Sequence, residues 1–306
     1  MDEEIEVWEA ARCTSAAPFL FPVYRASNGH AFQDGGMNHN NPVGLAVKEA
    51  PSLWTGRPKV DIVLSIGTGS AEGRIAEKNT LSQYAVHGWL KRCIDSFESK
   101  LDAERLWQEY HATLDEDGRR RHHRLNIKLS GTLPFMADTR AVDSMDDDTR
   151  RFFHDPGARR QLRSAAEALL ASLFYICVES PTKLPLPDGI GFAFRAQIRC
   201  RLEQRYQRVL LDRLQSSGCG FLVHGRAVSI NFEAHRCKLG KGESFRQDIQ
   251  WQGQLRETFH ICLVFRAEAS AEEQPELDAP TAGGTTTLAL KYEVSGSPHT
   301  WARLER

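Results

Sequence analysis

Phe32-Gln33-Asp34-Gly35-Gly36-Met37-Asn38-His39-Asn40-Asn41-Pro42 places one carboxylate between a short apolar run and two glycines. Glycine accepts positive φ without a Cβ clash, so the chain can turn sharply after Asp34 and leave its carboxylate at the end of a short strand. Asn38, Asn40 and Asn41 can bond turn backbone or the carboxylate, and Pro42 suits the first turn of a helix over Val43–Ala50. A carboxylate in a poorly solvated site is raised toward neutral pH and can serve as a general base. The plainer alternative is that Asp-Gly is a turn dipeptide and nothing more.

Two flanking stretches bear on that choice. Before the turn the chain reads Ala11-Arg12-Cys13-Thr14-Ser15-Ala16-Ala17-Pro18, and after it Asp61-Ile62-Val63-Leu64-Ser65-Ile66-Gly67-Thr68-Gly69. In this order, with Asn40-Asn41-Pro42 and a helix following the aspartate, the segments resemble the second half of a patatin-like phospholipase domain. The resemblance covers residues 1 to about 180 and is strongest over 8–70. It implies an α/β fold: the C-terminal part of an incomplete patatin-like three-layer αβα domain. It also implies a lipid acyl hydrolase that cleaves phospholipid or acylglycerol esters with a serine–aspartate dyad. Asp34 then corresponds to the proton acceptor, Gly35 and Gly36 to the turn that aims it, and Asn41 and Pro42 to supporting residues.

A serine hydrolase also needs a nucleophile and donors for the developing oxyanion. No Gly-X-Ser-X-Gly and no glycine-rich oxyanion loop occurs in the 306 residues. Ser15 and Ser65 lack the paired glycines of a strained strand-to-helix elbow, and in the family these positions are structural. The nucleophile is therefore expected outside this chain, which by itself is expected to be an inactive fragment of the hydrolase. The competing reading is a non-catalytic lipid- or protein-binding regulatory module.

Composition narrows the partners. With 39 Lys+Arg against 40 Asp+Glu the net charge is −1, which gives no electrostatic reason to expect nucleic acid. The seven cysteines lack Cys-X-X-Cys spacing, and this favours free thiols in a reducing compartment. No secretory signal and no membrane-length apolar run is present, so a cytoplasmic protein, peripheral to membranes at most, is expected. Its partner by resemblance is a lipid ester or a membrane surface. No metal or cofactor is expected: His122 and His123 lack further ligands at suitable spacing, and Asp143, Asp146, Asp147 and Asp148 read as an acidic helix start.

Further organisation follows from periodicity. Residues 4–16 read as a helix with Trp8 and Ala11 on its packed face, Val60–Ile66 as a strand buried on both faces, and Leu81–Leu114 as an amphipathic helix. Arg119–Arg124 reads as a solvated loop and Ser164–Glu179 as an apolar helix. Pro181, Pro185 and Pro187, closing on Asp188-Gly189, mark a linker over 181–189 between domain 1–180 and a smaller, mainly β (α+β) domain over 190–306. In that domain Phe192, Phe194, Ala196 and Ile198 alternate with mostly polar residues. Leu202, Tyr206, Val209, Leu210 and Leu214 define a helix stopped by Gly218, and Ala269–Gly284 reads as a mobile loop.

Overall fold

The computed structural model describes residues 6–17, 21–54, 60–70, 102–131, 138–177, 183–187, 191–254, 257–265, 290–295 and 299–300. They mix helices with open sheets and fall into two compact units, one of residues 1–58 with 63–163 and one of 59–62 with 164–306. Residues 81–101 of the expected amphipathic helix and the loop over Ala269–Gly284 lie outside the described residues.

The first unit begins with α1 (Val7–Thr14). Its buried side chains are Glu9 and Cys13, followed by fully buried Ala16, whereas Trp8 is 62% exposed. The packed face is therefore rotated from the one that apolar spacing predicts. Glu9 can go inside because it is fully hydrogen-bonded there. A two-strand antiparallel hairpin follows, β1 (Tyr24–Arg25) with β2 (Ala31–Phe32), around a turn in which Gly29 takes φ +80°. Then come the short helix α2 (Gly36–His39) and α3 (Val43–Leu53), which Pro42 caps as the sequence suggests.

β3 (Val63–Ile66) pairs in parallel with β4 (His122–Leu125), in the register Val63↔His122 to Ile66↔Leu125. Val63, Leu64 and Ser65 are half-buried and Ile66 is 71% exposed, so β3 is not enclosed on both faces. Among the described residues it has one neighbouring strand, which covers one edge only. The basic run before β4 is not a loop either. Asp115 caps α5 (Glu116–Arg121), and Arg120 and Arg121 pair one turn back with Glu116 and Asp117, the spacing that stabilises an exposed helix. Preceding it is α4 (Ala103–Ala112), capped by Asp102. α6 (Val142–His154) holds Asp143 in its first turn, while Asp148 is buried on Ser130 and Arg151.

α7 (Pro156–Ser172) stops well short of Glu179, and Phe174–Cys177 is a strand, β5. A short apolar run does not distinguish a helix from a strand; here the Phe-Tyr-Ile-Cys composition and antiparallel pairing with residues 197–200 decide. β6 (Lys183–Pro185), inside the proline-rich stretch, also pairs with β7 (Phe192–Cys200), whose far edge carries β10 (Arg246–Gly253). A second antiparallel sheet runs β13 (Leu290–Glu293), β12 (Ile261–Phe265), β8 (Gly220–Val223), β9 (Arg226–Val228). β11 (Thr258–Phe259) pairs with β14 (His299–Thr300).

The inward positions of both sheets form one core with α8 (Gln204–Ser216), where Phe174 meets Phe221 at 5.2 Å and Phe245 at 5.4 Å. Phe194, Ala196 and Ile198 are buried in alternation, as their spacing predicts. On α8 the buried face is Gln207, Leu210, Leu211 and Leu214, while Tyr206 and Val209 are exposed. Gly218 ends the helix at φ +59°. α9 (Phe232–Gly240) follows β9. No described helix is long and apolar enough to cross a membrane.

Candidate functional site

The Asp34 turn is built from both sides. On its amino side, Glu9 of α1 accepts hydrogen bonds from the Ser27 amide at 2.8 Å, the Ser27 hydroxyl at 3.0 Å and the Tyr24 hydroxyl at 3.3 Å. Those donors, the Ser27 amide foremost, hold the Glu9 carboxyl below its ordinary pKa. The same contacts bolt the β1–β2 hairpin to α1. The Arg12 guanidinium lies over the Phe21 and Tyr24 rings at 5.3 and 5.5 Å. Where the hairpin ends, the Asp34 amide donates to the Ala16 carbonyl at 3.0 Å, tying the turn to the Ser15-Ala16-Ala17 stretch.

Asp34 itself is half-buried. Its Oδ1 accepts the Gly36 amide at 2.6 Å, and among the described residues Oδ2 has no hydrogen-bond partner. Neither glycine takes positive φ: Gly35 sits at φ −63°, and the Asn38 and His39 amides close the first turn of α2 on its carbonyl. The reason for glycine is different from the one read in the sequence. A Cβ on Gly36 would stand 2.9 Å from Asp34 Oδ1, so a bare Cα lets the carboxylate fold down onto its amide; a Cβ on Gly35 would meet nothing within 4 Å.

On the carboxyl side Asn41 is a hub. Its Oδ1 accepts from the Val43 amide and from the Ser65 hydroxyl, each at 3.3 Å, and its Nδ2 donates to the Ala103 carbonyl at 3.2 Å. Ser65 in turn accepts from Arg124 Nη1 at 2.9 Å, and Arg124 Nε donates to Glu104 at 3.3 Å. Because Glu104 follows Ala103 on α4, these bonds close a ring through the start of α3, β3, β4 and α4. Asn126 extends it, donating to Glu104 at 2.9 Å and accepting the Gly69 amide at 2.9 Å. Gly67 must lack a side chain here, since a Cβ would lie 2.2 Å from Asn126 Oδ1. Gly67-Thr68-Gly69 is accordingly a tight turn, with Gly69 at φ +115°.

Neither candidate substitute nucleophile meets Asp34. The Ser15 hydroxyl donates to the Arg12 carbonyl at 3.3 Å, and Ser65 belongs to the ring. The sequence reading names Asp34, Gly35, Gly36, Asn41 and Pro42; it does not name Glu9, Glu104, Arg124 or Asn126, which the structure ties to the same turn and strands. Their signal, charged or amide residues beside apolar ones in short strands and helix starts, does not stand out from an ordinary solvated face. Among the described residues no group of three or more His, Cys, Asp or Glu is placed to hold a metal ion.

Residues 1–47, which contain the whole turn from Ala11 to Pro42, match the family model for patatin-like phospholipase. Over this stretch the chain is similar to patatin-like phospholipases. The chain is also similar to calcium-independent phospholipase A2-gamma of Homo sapiens, 36% identical over 93 residues that make up 30% of this chain and 11% of that protein. It resembles Phospholipase A I of Arabidopsis thaliana at 39% over 70 residues, 23% of this chain and 5% of that protein. The rabbit (Oryctolagus cuniculus) phospholipase A2-gamma is 38% identical over 77 residues, 25% of this chain and 10% of its own length. The chain thus spans about a tenth or less of the curated relatives it matches. No solved structure matches it. The patatin-like match takes in Asp34, both glycines, Asn41 and Pro42, and ends before β3.

Proposed function

We propose that this chain carries the base-bearing part of a patatin-like lipid acyl hydrolase, with Asp34 as the proton acceptor. The observation that supports this most is that Asp34, within the patatin-like stretch, is fixed through Oδ1 to the Gly36 amide while Oδ2 has no partner among the described residues. A carboxylate held in that way keeps one oxygen in a defined place for a proton. Gly36 permits the close approach, and Asn41 with Pro42 sets the path from the turn into α3. In this reading the parallel β3–β4 pair belongs to the three-layer αβα sheet of the family, and residues 190–306 form the accessory domain.

The reaction class is ester hydrolysis of a lipid through an acyl-serine. The serine hydroxyl attacks the ester carbonyl, and its proton passes to the aspartate. That proton then goes to the departing alcohol, and water, deprotonated by the same carboxylate, releases the fatty acid. The serine and the oxyanion donors come from outside these 306 residues. The test is direct: the 306-residue chain alone shows no turnover of a fluorogenic acyl ester. The same chain fused behind a Gly-X-Ser-X-Gly-bearing segment of a patatin-like phospholipase hydrolyses it. Turnover by the chain alone would contradict the external nucleophile, and an inert, folded fusion would contradict the hydrolase reading.

A further inference from the structure

The second unit contains a cleft of about 430 Å³ lined by Leu186, His224, Arg226, Trp251, Gln252 and Gln254 together with Gly191 and Gly253. It lies where the end of β10 meets the β8–β9 hairpin and the residue following β6. The cleft is shallow and open to solvent.

Each wall is fixed by something specific. β8 and β9 are joined by the two residues His224 and Gly225, at φ 45° and 79°, the double positive φ of a type I′ turn. The turn is held down by the His224 amide on the His260 carbonyl at 3.0 Å. Its imidazole is steadied by Glu257, whose Oε1 lies 3.3 Å from His224 Nε2 while its Oε2 accepts the Gln254 amide at 2.9 Å. Glu257 reaches that amide only because Gly253 has no Cβ, which would stand 2.7 Å from Oε2. Trp251 is 4% exposed and clamped between Phe194 at 5.4 Å and Phe259 at 4.5 Å, giving a rigid apolar floor beside Leu186.

Glu257 keeps its carboxylate on His224 at the edge of the cleft, whereas Arg226 is exposed and forms no ion pair among the described residues. The Arg226 guanidinium and the exposed amides of Gln252 and Gln254 offer donors to one bound anion, and a guanidinium takes a carboxylate or a phosphate in two parallel bonds. We propose that this cleft binds a small organic anion, its carboxylate or phosphate on Arg226 and its apolar tail on Trp251 and Leu186. The site is independent of Asp34 and of the hydrolase reading.

The test is titration calorimetry of the full chain with octanoate, octyl phosphate, octanol and acetate, accompanied by the Trp251 indole and His224 ring signals in NMR. Octanoate or octyl phosphate is expected to bind and to move both signals, the tighter of the two naming the head group, with octanol and acetate at least about tenfold weaker. Arg226→Gln, at an exposed position with no partner to lose, is expected to fold normally and weaken the anion about tenfold or more. Absence of binding by the octyl anions, octanol equal to octanoate, acetate equal to octanoate, or an unchanged affinity in Arg226→Gln would each overturn the proposal.

Discussion

Asp34 and Gly36 are locked to each other: the carboxylate Oδ1 takes the amide two residues on at 2.6 Å, and a side chain at position 36 would intrude on that oxygen at 2.9 Å. The two glycines after Asp34 are therefore not equivalent. Gly36→Ala is expected to displace the carboxylate, lose the bond and cost about 1 kcal/mol in urea unfolding. Gly35→Ala, in helical conformation with open space around it, is expected to be neutral or to stabilise by up to about 1 kcal/mol. Equal effects at the two positions would contradict this reading of the turn.

At the other end of the motif, Asn41→Ala leaves the Ser65 hydroxyl, the Val43 amide and the Ala103 carbonyl without their partner. A loss of about 2 kcal/mol in urea unfolding is expected, with about 1 kcal/mol for Ser65→Ala. Since both remove the same bond, the double variant should lose less than the sum. Strict additivity would mean that the ring is not a coupled unit.

What could be read from the sequence was mostly local. Asp34-Gly35-Gly36 announces a turn because glycine and aspartate act on their own neighbours, and β7 shows itself because one wet face imposes a period of two. The buried side of α1 was not legible: hydropathy favours Trp8, yet Glu9 goes inside because Ser27 and Tyr24, fifteen and more residues away, satisfy its carboxylate. Arg119–Arg124 looked like a loop because composition hides the Asp115 cap and the pairs that Arg120 and Arg121 make one turn back. Arg124, in that same run, has a side chain only 9% exposed and closes the ring around Asn41. Such a role is set by strand pairing across about sixty residues, which no window of sequence contains.

The α1 assignment has a test that runs against hydropathy. Glu9→Ala should lower the thermal midpoint clearly, because the hairpin loses its bolt, whereas Trp8→Ala, on an exposed side chain, should barely move it. The reverse order would restore the face that apolar spacing suggests.

Acid should loosen the first unit. Burial holds both His122 and His123 below the ordinary histidine value of 6.5, with the neighbouring charges acting in the same direction. In His122 the ring bridges the Gly118 carbonyl at 2.6 Å and the Tyr110 hydroxyl at 2.9 Å, and His123 Nε2 is buried without a partner. A histidine whose folded value is depressed costs nothing above the unfolded value of 6.5; below it the unfolded chain takes the proton first, and stability falls until the folded value is passed. The thermal midpoint is thus expected to decline from about pH 6.5 downward, and His122→Gln to flatten the decline. A midpoint that holds or rises between about pH 7 and pH 5 would contradict it.

The most direct test of Asp34 as a base separates its charge from its place in the turn. Asp34→Asn retains an Oδ1 that can accept the Gly36 amide but cannot take up a proton. In the fusion carrying a Gly-X-Ser-X-Gly serine, kcat for acyl ester hydrolysis is expected to fall at least about a hundredfold while the thermal midpoint and the Gly36 amide signal stay in place. Hydrolysis within a few-fold of the unsubstituted fusion would contradict the assignment and leave Asp34 as a turn residue only.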